Sequence, residues 1–284
     1  MTRKEIIKRS FSRAAETYDS YAVVQKEAAR LLSEGVCDVL SAMPQSAAQA
    51  TPGPGGKQNQ PQAQNAGRFL DLGSGTGDLL VQFDKRLEFS LACGVDLALP
   101  MLKMSRGKNR AACVQADIDS LPFVDASFDI IASSLAFQWA GDLKGALAEA
   151  KRVLAKGPRA ILAVSTLGAK TLGELRASIG AFKSEVPVNF IGIDELILIF
   201  REAGLTVLKA EARAVVKTYQ DLNALLITLK KTGVQPSVNA ECLGLGVRGR
   251  LKEAHELYRK KHITVDGAIP ATYEIVTIIA INAG

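Results

Sequence analysis

From Lys4 to Leu40 apolar side chains recur at helical spacing, most clearly through YAVVQKEAARLLSEGVCDVL, among residues that favour helix. The pattern predicts one or two helices over 1–40. Beyond Arg68 the rhythm changes, and short runs rich in Val, Ile and Leu alternate with helix-length stretches. RFLDLG, LACGVDL, ACVQADI, FDIIASSL, RAILAVST, LTVLKAEAR and TYEIVTIIAIN read as strands. DLLVQFDKRL, ALPMLKMSRGKN and LKGALAEAKRVL read as helices between the first five. Such alternation predicts an α/β fold, a doubly wound and mostly parallel sheet with helices on its faces. Helical segments near 170–200 and 221–262 interrupt the rhythm and are expected to form a lid or a substrate-facing cap. Between Ser41 and Arg68 the run SAMPQSAAQATPGPGGKQNQPQAQNAGR turns abruptly to Ala, Gln, Pro and Gly. Too little apolar surface is present there to offset the entropy of ordering, so a disordered insertion is expected, with a partner-binding loop as the alternative. The expected organisation is a helical lid over 1–40, an insertion over 41–68 and an α/β domain over 69–284.

Composition narrows the class of protein only slightly. With 284 residues, 48% of them hydrophobic, the chain is long enough to bury a substantial core. The balance of 35 Lys and Arg against 29 Asp and Glu favours acidic partners without pointing to nucleic acid. No apolar run is long enough to span a bilayer, and MTRKEIIKRSFSRAAETYD lacks the apolar segment of a signal peptide, so a soluble, cytoplasmic protein is expected. Cys37, Cys93, Cys113 and Cys242 are widely spaced with no C-x-x-C pair, which argues against a disulfide framework and predicts reduced thiols. His255 opens a segment, AHELYRKKH, that begins like a zinc-binding H-E-x-x-H, but Arg259 stands where the second histidine belongs. No metal is expected, and that segment reads as a basic amphipathic helix.

The chemistry concentrates in DLGSGTGD, at the first strand-to-helix turn, where open α/β sheets bind ligands. Gly73, Gly75 and Gly77 leave bare backbone for a close-approaching ligand. Their spacing is G-x-G-x-G, so the third glycine comes one residue before that of the dinucleotide fingerprint. Asp71 ends the strand immediately before them. Its carboxylate would oppose a pyrophosphate and attract a cationic amino acid moiety, which favours S-adenosylmethionine over NAD. Asp96 lies roughly twenty residues on, where an acid takes ribose hydroxyls. Asp117 ends the third strand, where it could accept from an adenine amino group.

DLGSGTGDLL, GVDLALPML, ADIDSLPFVDASFDIIASSLAFQW and EAKRVLAKGPRAILAVST resemble the ordered motifs of class I S-adenosylmethionine-dependent methyltransferases. A narrower resemblance spans nearly the whole chain. FSRAAETYDSYAVVQKEAARLL, LAFQWAGDLKGAL, TLGEL, LKKTGV and IPATYEIVTIIAIN are similar to the malonyl-acyl-carrier-protein O-methyltransferases of biotin synthesis. The insertion at 41–68 and the turn AKGPRA, which lacks the second glycine of the usual Pro-Gly-Gly-like turn, depart from that family without touching its cofactor motifs.

The resemblance implies a Rossmann-like, seven-stranded sheet with S-adenosylmethionine as cofactor. It implies methylation of the free carboxylate of a malonyl group on acyl-carrier protein or coenzyme A, by a monomeric enzyme. It assigns Asp71, Gly73, Ser74, Gly75 and Gly77 to the methionine end, Asp96 and Leu97 to ribose, and Asp117 and Ile118 to adenine. Ser133, Ser134 and Leu135 would face the reacting centre. Tyr18 would close over the cofactor, or else pack the N-terminal helix on the core. Gln138 and Trp139 would border methyl transfer, with burial of Trp139 in the core as the alternative. Arg13, Arg176 and Lys230 are candidates for pairing with the substrate carboxylate. No catalytic base is expected, because a malonyl carboxylate is already ionised at neutral pH. Basic side chains in RGRLKEAHELYRKKH, Arg250, Lys252, Arg259 and Lys260 among them, would meet the acidic carrier. Rival readings are a methyltransferase acting on another small carboxylate or quinone precursor, a respiratory-complex assembly factor or hydroxylase, and a non-enzymatic binding module.

Overall fold

The structure is a computed structural model that describes residues 2–44, 66–179, 190–233 and 247–284. Most of the expected 41–68 insertion, and parts of both expected cap segments, lie outside the described residues. Helix α1, Arg3–Tyr21, starts at a capping box in which Thr2 and Glu5 exchange side-chain to backbone hydrogen bonds. Helix α2, Val23–Ala42, buries Val24, Ala28, Leu32, Val36 and Leu40, the stripe that its helical spacing predicts.

Seven strands follow: β1 Arg68–Leu72, β2 Leu91–Asp96, β3 Ala112–Gln115, β4 Ile130–Ser134, β5 Ile161–Leu167, β6 Thr206–Tyr219 and β7 Ile269–Ile281. They form one sheet in the order β3-β2-β1-β4-β5-β7-β6. The first five are parallel, and β7 runs antiparallel to both β5 and β6. Successive side chains point to opposite faces, so Phe69, Ile130 and Ile161 join α2 and helix α3 (Asp78–Asp84) in one core. Leu70, Ile131 and Leu162 join helices α5 (Leu143–Val153) and α7 (Ile193–Glu202) in the other. Both faces of the central strands are covered, which is why their sequences are nearly continuous apolar runs. Helix α4, Leu99–Arg106, connects β2 to β3 and packs against α1 through Met101.

The last two strands are longer at their outer ends than the sequence pattern indicates. β6 extends to Tyr219 and β7 begins at Ile269, and these ends pair with each other beyond β5. Exposed and half-buried residues alternate along β6, an edge strand, so its second half carries a weak apolar signal. The projecting ends support helices α6 (Gly173–Ile179), α8 (Leu222–Lys231) and α9 (Val247–His262). Leu175, Leu225, Leu229, Tyr258, Ile269 and Tyr273 form a separate core there with Val24 of α2. The 170–200 segment is therefore only partly a cap. Its α7 buries Leu196 and Phe200 in the main core as an ordinary crossover helix.

Candidate active site

Strand order reverses between β1 and β4, and the loops leaving these two strands flank a crevice at their carboxyl ends. After β1 the chain turns sharply because the N–H groups of Gly73 and Ser74 both donate to the Val95 carbonyl, each at 2.8 Å. Gly73 has φ of 73°, and a β-carbon there would lie 2.2 Å from that of Ala136, beyond β4. Both the conformation and the close approach require glycine. Gly75 has φ of 53° with nothing within 4 Å of where a β-carbon would stand, so bare backbone faces open space. Gly77 heads α3 and packs against Ser105 of α4.

The acids around this loop differ in their partners. Asp96 accepts from the N–H of Gly75 at 2.9 Å through one oxygen and from that of Ala98 at 2.7 Å through the other. Burial raises its pKa, opposed by those two donors. Asp71 is only 1% exposed, and among the described residues neither of its carboxylate oxygens has a hydrogen-bond partner. Burial, reinforced by the charges of Asp96 and Asp78, pushes its pKa well above the usual carboxylate range. A buried acid of this kind is costly unless a cation meets it.

Helix α1 lies across the crevice. Lys4, Phe11 and Tyr18 line a cavity of about 100 Å³ together with Gly75, Asp96 and Trp139. Phe11 meets Trp139 edge to face at 5.6 Å. Near the other end of α1, Asp19 accepts from Thr76 Oγ1 at 2.6 Å and pairs with Lys108 at 2.6 Å. Burial works against the charge of Asp19, but Lys108 and Thr76 outweigh it and hold the carboxyl below its ordinary range. Burial, aided by Asp78, Asp96 and Asp19, raises the Tyr18 hydroxyl pKa, so the ring sits neutral in an acidic field.

Gly73, Leu97, Asp117, Ile118, Ser134 and Leu135 also line this cavity. Ser133 instead faces inward and donates to the Leu72 carbonyl at 2.7 Å, tying β4 to β1. Ser74 is buried against Gly94, without a hydrogen bond to its hydroxyl. Gln138 accepts from Thr166 at 2.9 Å and lines neither this cavity nor a second one, of about 190 Å³, that shares Leu135 with it. Arg13 and Lys230 are exposed and line neither. Arg176 donates to the Ala169 carbonyl and lies 5.8 Å from the ring centroid of Phe190, a wall of the second cavity. Lys4, Phe11, Asp19, Thr76 and Lys108 escaped the sequence reading because the contacts that set them at the crevice, such as Lys4 with Asp117, Phe11 with Trp139, and Lys108 with Asp19 and Asp78, join residues 30 or more apart.

Residues 70–162 match a family model described as a methyltransferase domain. The chain is 31% identical to the malonyl-acyl-carrier-protein O-methyltransferase of Methylovorus sp., over 96% of this chain and 87% of that one. It belongs to the malonyl-acyl-carrier-protein O-methyltransferase family. It is also 32% identical, over 96% of its length, to a bifunctional biotin biosynthesis protein of Saccharophagus degradans, of which it spans 45%. Among solved structures it resembles an S-adenosylmethionine-dependent methyltransferase of Thermotoga maritima, with a TM-score of 0.51 over 96% of this chain and 99% of that one. At 18% identity, that likeness is one of fold.

S-adenosylmethionine is the methyl donor of this enzyme, and the crevice of this family member fits it. The unpartnered Asp71 carboxylate suits an ammonium group, the open backbone at Gly75 admits close approach, and Tyr18 offers an aromatic face beside three acids.

Proposed function

We propose that the chain methylates the free carboxylate of a malonyl group carried on acyl-carrier protein, giving the methyl ester that primes biotin synthesis. The observation that carries this reading is the length of the family resemblance. It covers 96% of the chain and so includes the cap helices as well as the cofactor crevice. In this reading Asp71 holds the donor's ammonium, the Gly73–Gly75 backbone lies along its methionine moiety, and Asp96 takes the ribose. Asp117 and Ile118 border the adenine, and Tyr18 covers the cationic sulfur.

When bound, the donor supplies an electrophilic methyl carbon, and the acceptor oxygen bonds to it as the carbon–sulfur bond breaks with its electron pair left on sulfur. The acceptor carboxylate is already ionised at neutral pH, so no residue is needed to remove a proton. The protein's contribution is alignment and exclusion of water, which together supply on the order of 7–11 kcal/mol. Ser134, at the end of β4, lines the cofactor crevice, and Leu135 just after it stands where the two cavities meet. The exposed Lys252, Arg259 and Lys260 of α9, interspersed with Glu253 and Glu256, give the cap cations that can meet an acidic carrier. The side chain of Arg250 lies outside the described residues.

The test is S-adenosylhomocysteine formation with malonyl-acyl-carrier protein, malonyl-coenzyme A and free malonate side by side. The carrier-bound substrate is expected to be used most efficiently and free malonate least. A folded protein that binds S-adenosylhomocysteine yet methylates neither thioester would defeat the reading.

A further inference from the structure

The second cavity has its own chemistry. Val24 of α2, Leu167 and Leu172 beyond β5, and Leu229 of α8 make its walls apolar. Among the described residues Lys217 is the one cation lining it, and no Asp or Glu does so. Strand alternation places Lys217 on the same face of β6 as Val215 and Tyr219, which pack on the cap core. Lys217 is half-buried, and among the described residues no carboxylate lies within ion-pair distance of its Nζ; Glu27 acts on it only at longer range. The Tyr219 and Tyr273 hydroxyls lie 3.1 Å apart on adjoining strands and line the same space. An ammonium half-buried beside apolar walls loses part of its hydration, and an anion is the partner that offsets that loss most strongly. In such surroundings a single ion pair is far stronger than at an open surface.

Leu135 joins this cavity to the cofactor crevice. It has φ of 52°, in the left-handed region that a leucine rarely adopts, held there as its N–H donates to the Ser165 carbonyl at 2.9 Å. Strained backbone of this kind persists where the surroundings over-determine it, often at a reacting centre.

We propose that this cavity is the acyl acceptor subsite. Lys217 is the counter-charge for the ionised carboxylate, and the Tyr219–Tyr273 hydroxyl pair orients the acyl group against Leu135. The assignment rests on the malonyl-methylation reading. Pairing one carboxylate oxygen with Lys217 leaves the other free to attack. The methyl ester so formed is neutral, so the product loses the charge that held the substrate, and uncharged acyl groups never gain it. Lys217 therefore sets specificity for a terminal acid.

The test compares wild type, Lys217→Met, Lys217→Arg and Tyr219→Phe with malonyl-coenzyme A as substrate and its methyl ester as inhibitor. S-adenosylhomocysteine calorimetry reports on folding and the donor site. Lys217→Met is expected to raise KM about tenfold or more, the loss of a charge-assisted contact, with donor affinity unchanged. It should also erase the wild-type preference for the acid over the ester, while Lys217→Arg retains much of that preference. Tyr219→Phe should lower kcat more than it raises KM. An unchanged KM in Lys217→Met with intact donor binding overturns the assignment. If Lys217→Met does not fold, Lys217→Arg and Tyr219→Phe decide, and wild-type parameters in both overturn it equally. Failure of the wild-type enzyme to use any malonyl thioester strikes instead at the malonyl reading itself.

Discussion

The Lys4 ammonium lies 2.6 Å from one oxygen of Asp117 and 2.5 Å from one of Asp119, which joins the start of α1 to the loop after β3. The sequence reading reserves Asp117 for adenine, yet in this closed arrangement the helix above already uses it. The Asp19–Lys108–Asp78 cluster fastens the other end of α1. The cavity below α1, about 100 Å³, is far smaller than the roughly 300–1,000 Å³ of small-molecule sites. Helix α1 roofs this cavity, so its release is expected to pace exchange of the donor.

Removing the Lys4 charge should loosen that closure. Both partners are partly exposed, so the pair contributes on the order of 0.5–1 kcal/mol, and Lys4→Met should speed S-adenosylhomocysteine release about two- to fivefold. Added salt should speed wild-type release and have less effect on the variant. Trp139 is the single tryptophan and lines the crevice, so stopped-flow fluorescence reads the rate directly. Equal rates at all salt concentrations would show that the pair does not hold the helix.

Asp71 sets stability against binding. Its folded-state pKa is raised, so the native protein keeps this proton to a higher pH than the unfolded chain, which releases it near 3.9. The donor-free protein should then be destabilised as pH rises from about 4 through the folded pKa, and the loss is complete above it. Asp71→Asn removes that loss and should melt higher than wild type at neutral pH, while binding S-adenosylhomocysteine about 10- to 100-fold more weakly. Thermal melts across pH with calorimetry decide. A variant that melts lower would mean that Asp71 is stabilised as an anion.

Asp96 both borders the crevice and holds the loop, since it accepts from Gly75 and Ala98. Asp96→Ala should weaken S-adenosylhomocysteine binding by about 1.5–3 kcal/mol and also lower the melting temperature, because two backbone donors lose their acceptor. Asp96→Asn, which keeps one acceptor oxygen, should recover part of both. Unchanged affinity in a folded alanine variant would exclude the ribose role.

Docking of an acidic carrier on α9 should be steered by charge. Turning Lys252, Arg259 and Lys260 to Glu is expected to reduce kcat/KM for malonyl-acyl-carrier protein at least about tenfold, with little change for malonyl-coenzyme A. Wild-type efficiency with the carrier should fall as salt shortens the Debye length from about 10 Å to about 3 Å. Equal losses with both substrates would remove α9 from the docking face.

Periodicity and local chemistry determined much of this protein. The α2 stripe from Val24 to Leu40, the apolar runs of β1 to β5 and the glycine loop after Asp71 all depend on neighbours within one element. Spacing alone therefore makes them legible. What only the tertiary structure decided depends on residues brought together from far along the chain. Asp71 is legible as the acid before the glycines that would meet a cation, but its burial without a hydrogen-bond partner among the described residues is not. Arg13, Arg176 and Lys230 carry the right charge, but helix orientation turns Arg13 and Lys230 to solvent and sets Arg176 against Phe190. Lys217, in VVKTYQ, lies beyond the strand that the sequence pattern indicates. It faces the second cavity because β6, paired with β7, continues past β5 and carries its alternate side chains beneath the cap. Side-chain charge is a property of sequence, but the solvent, field and partners that give it a role are set only once distant segments pack.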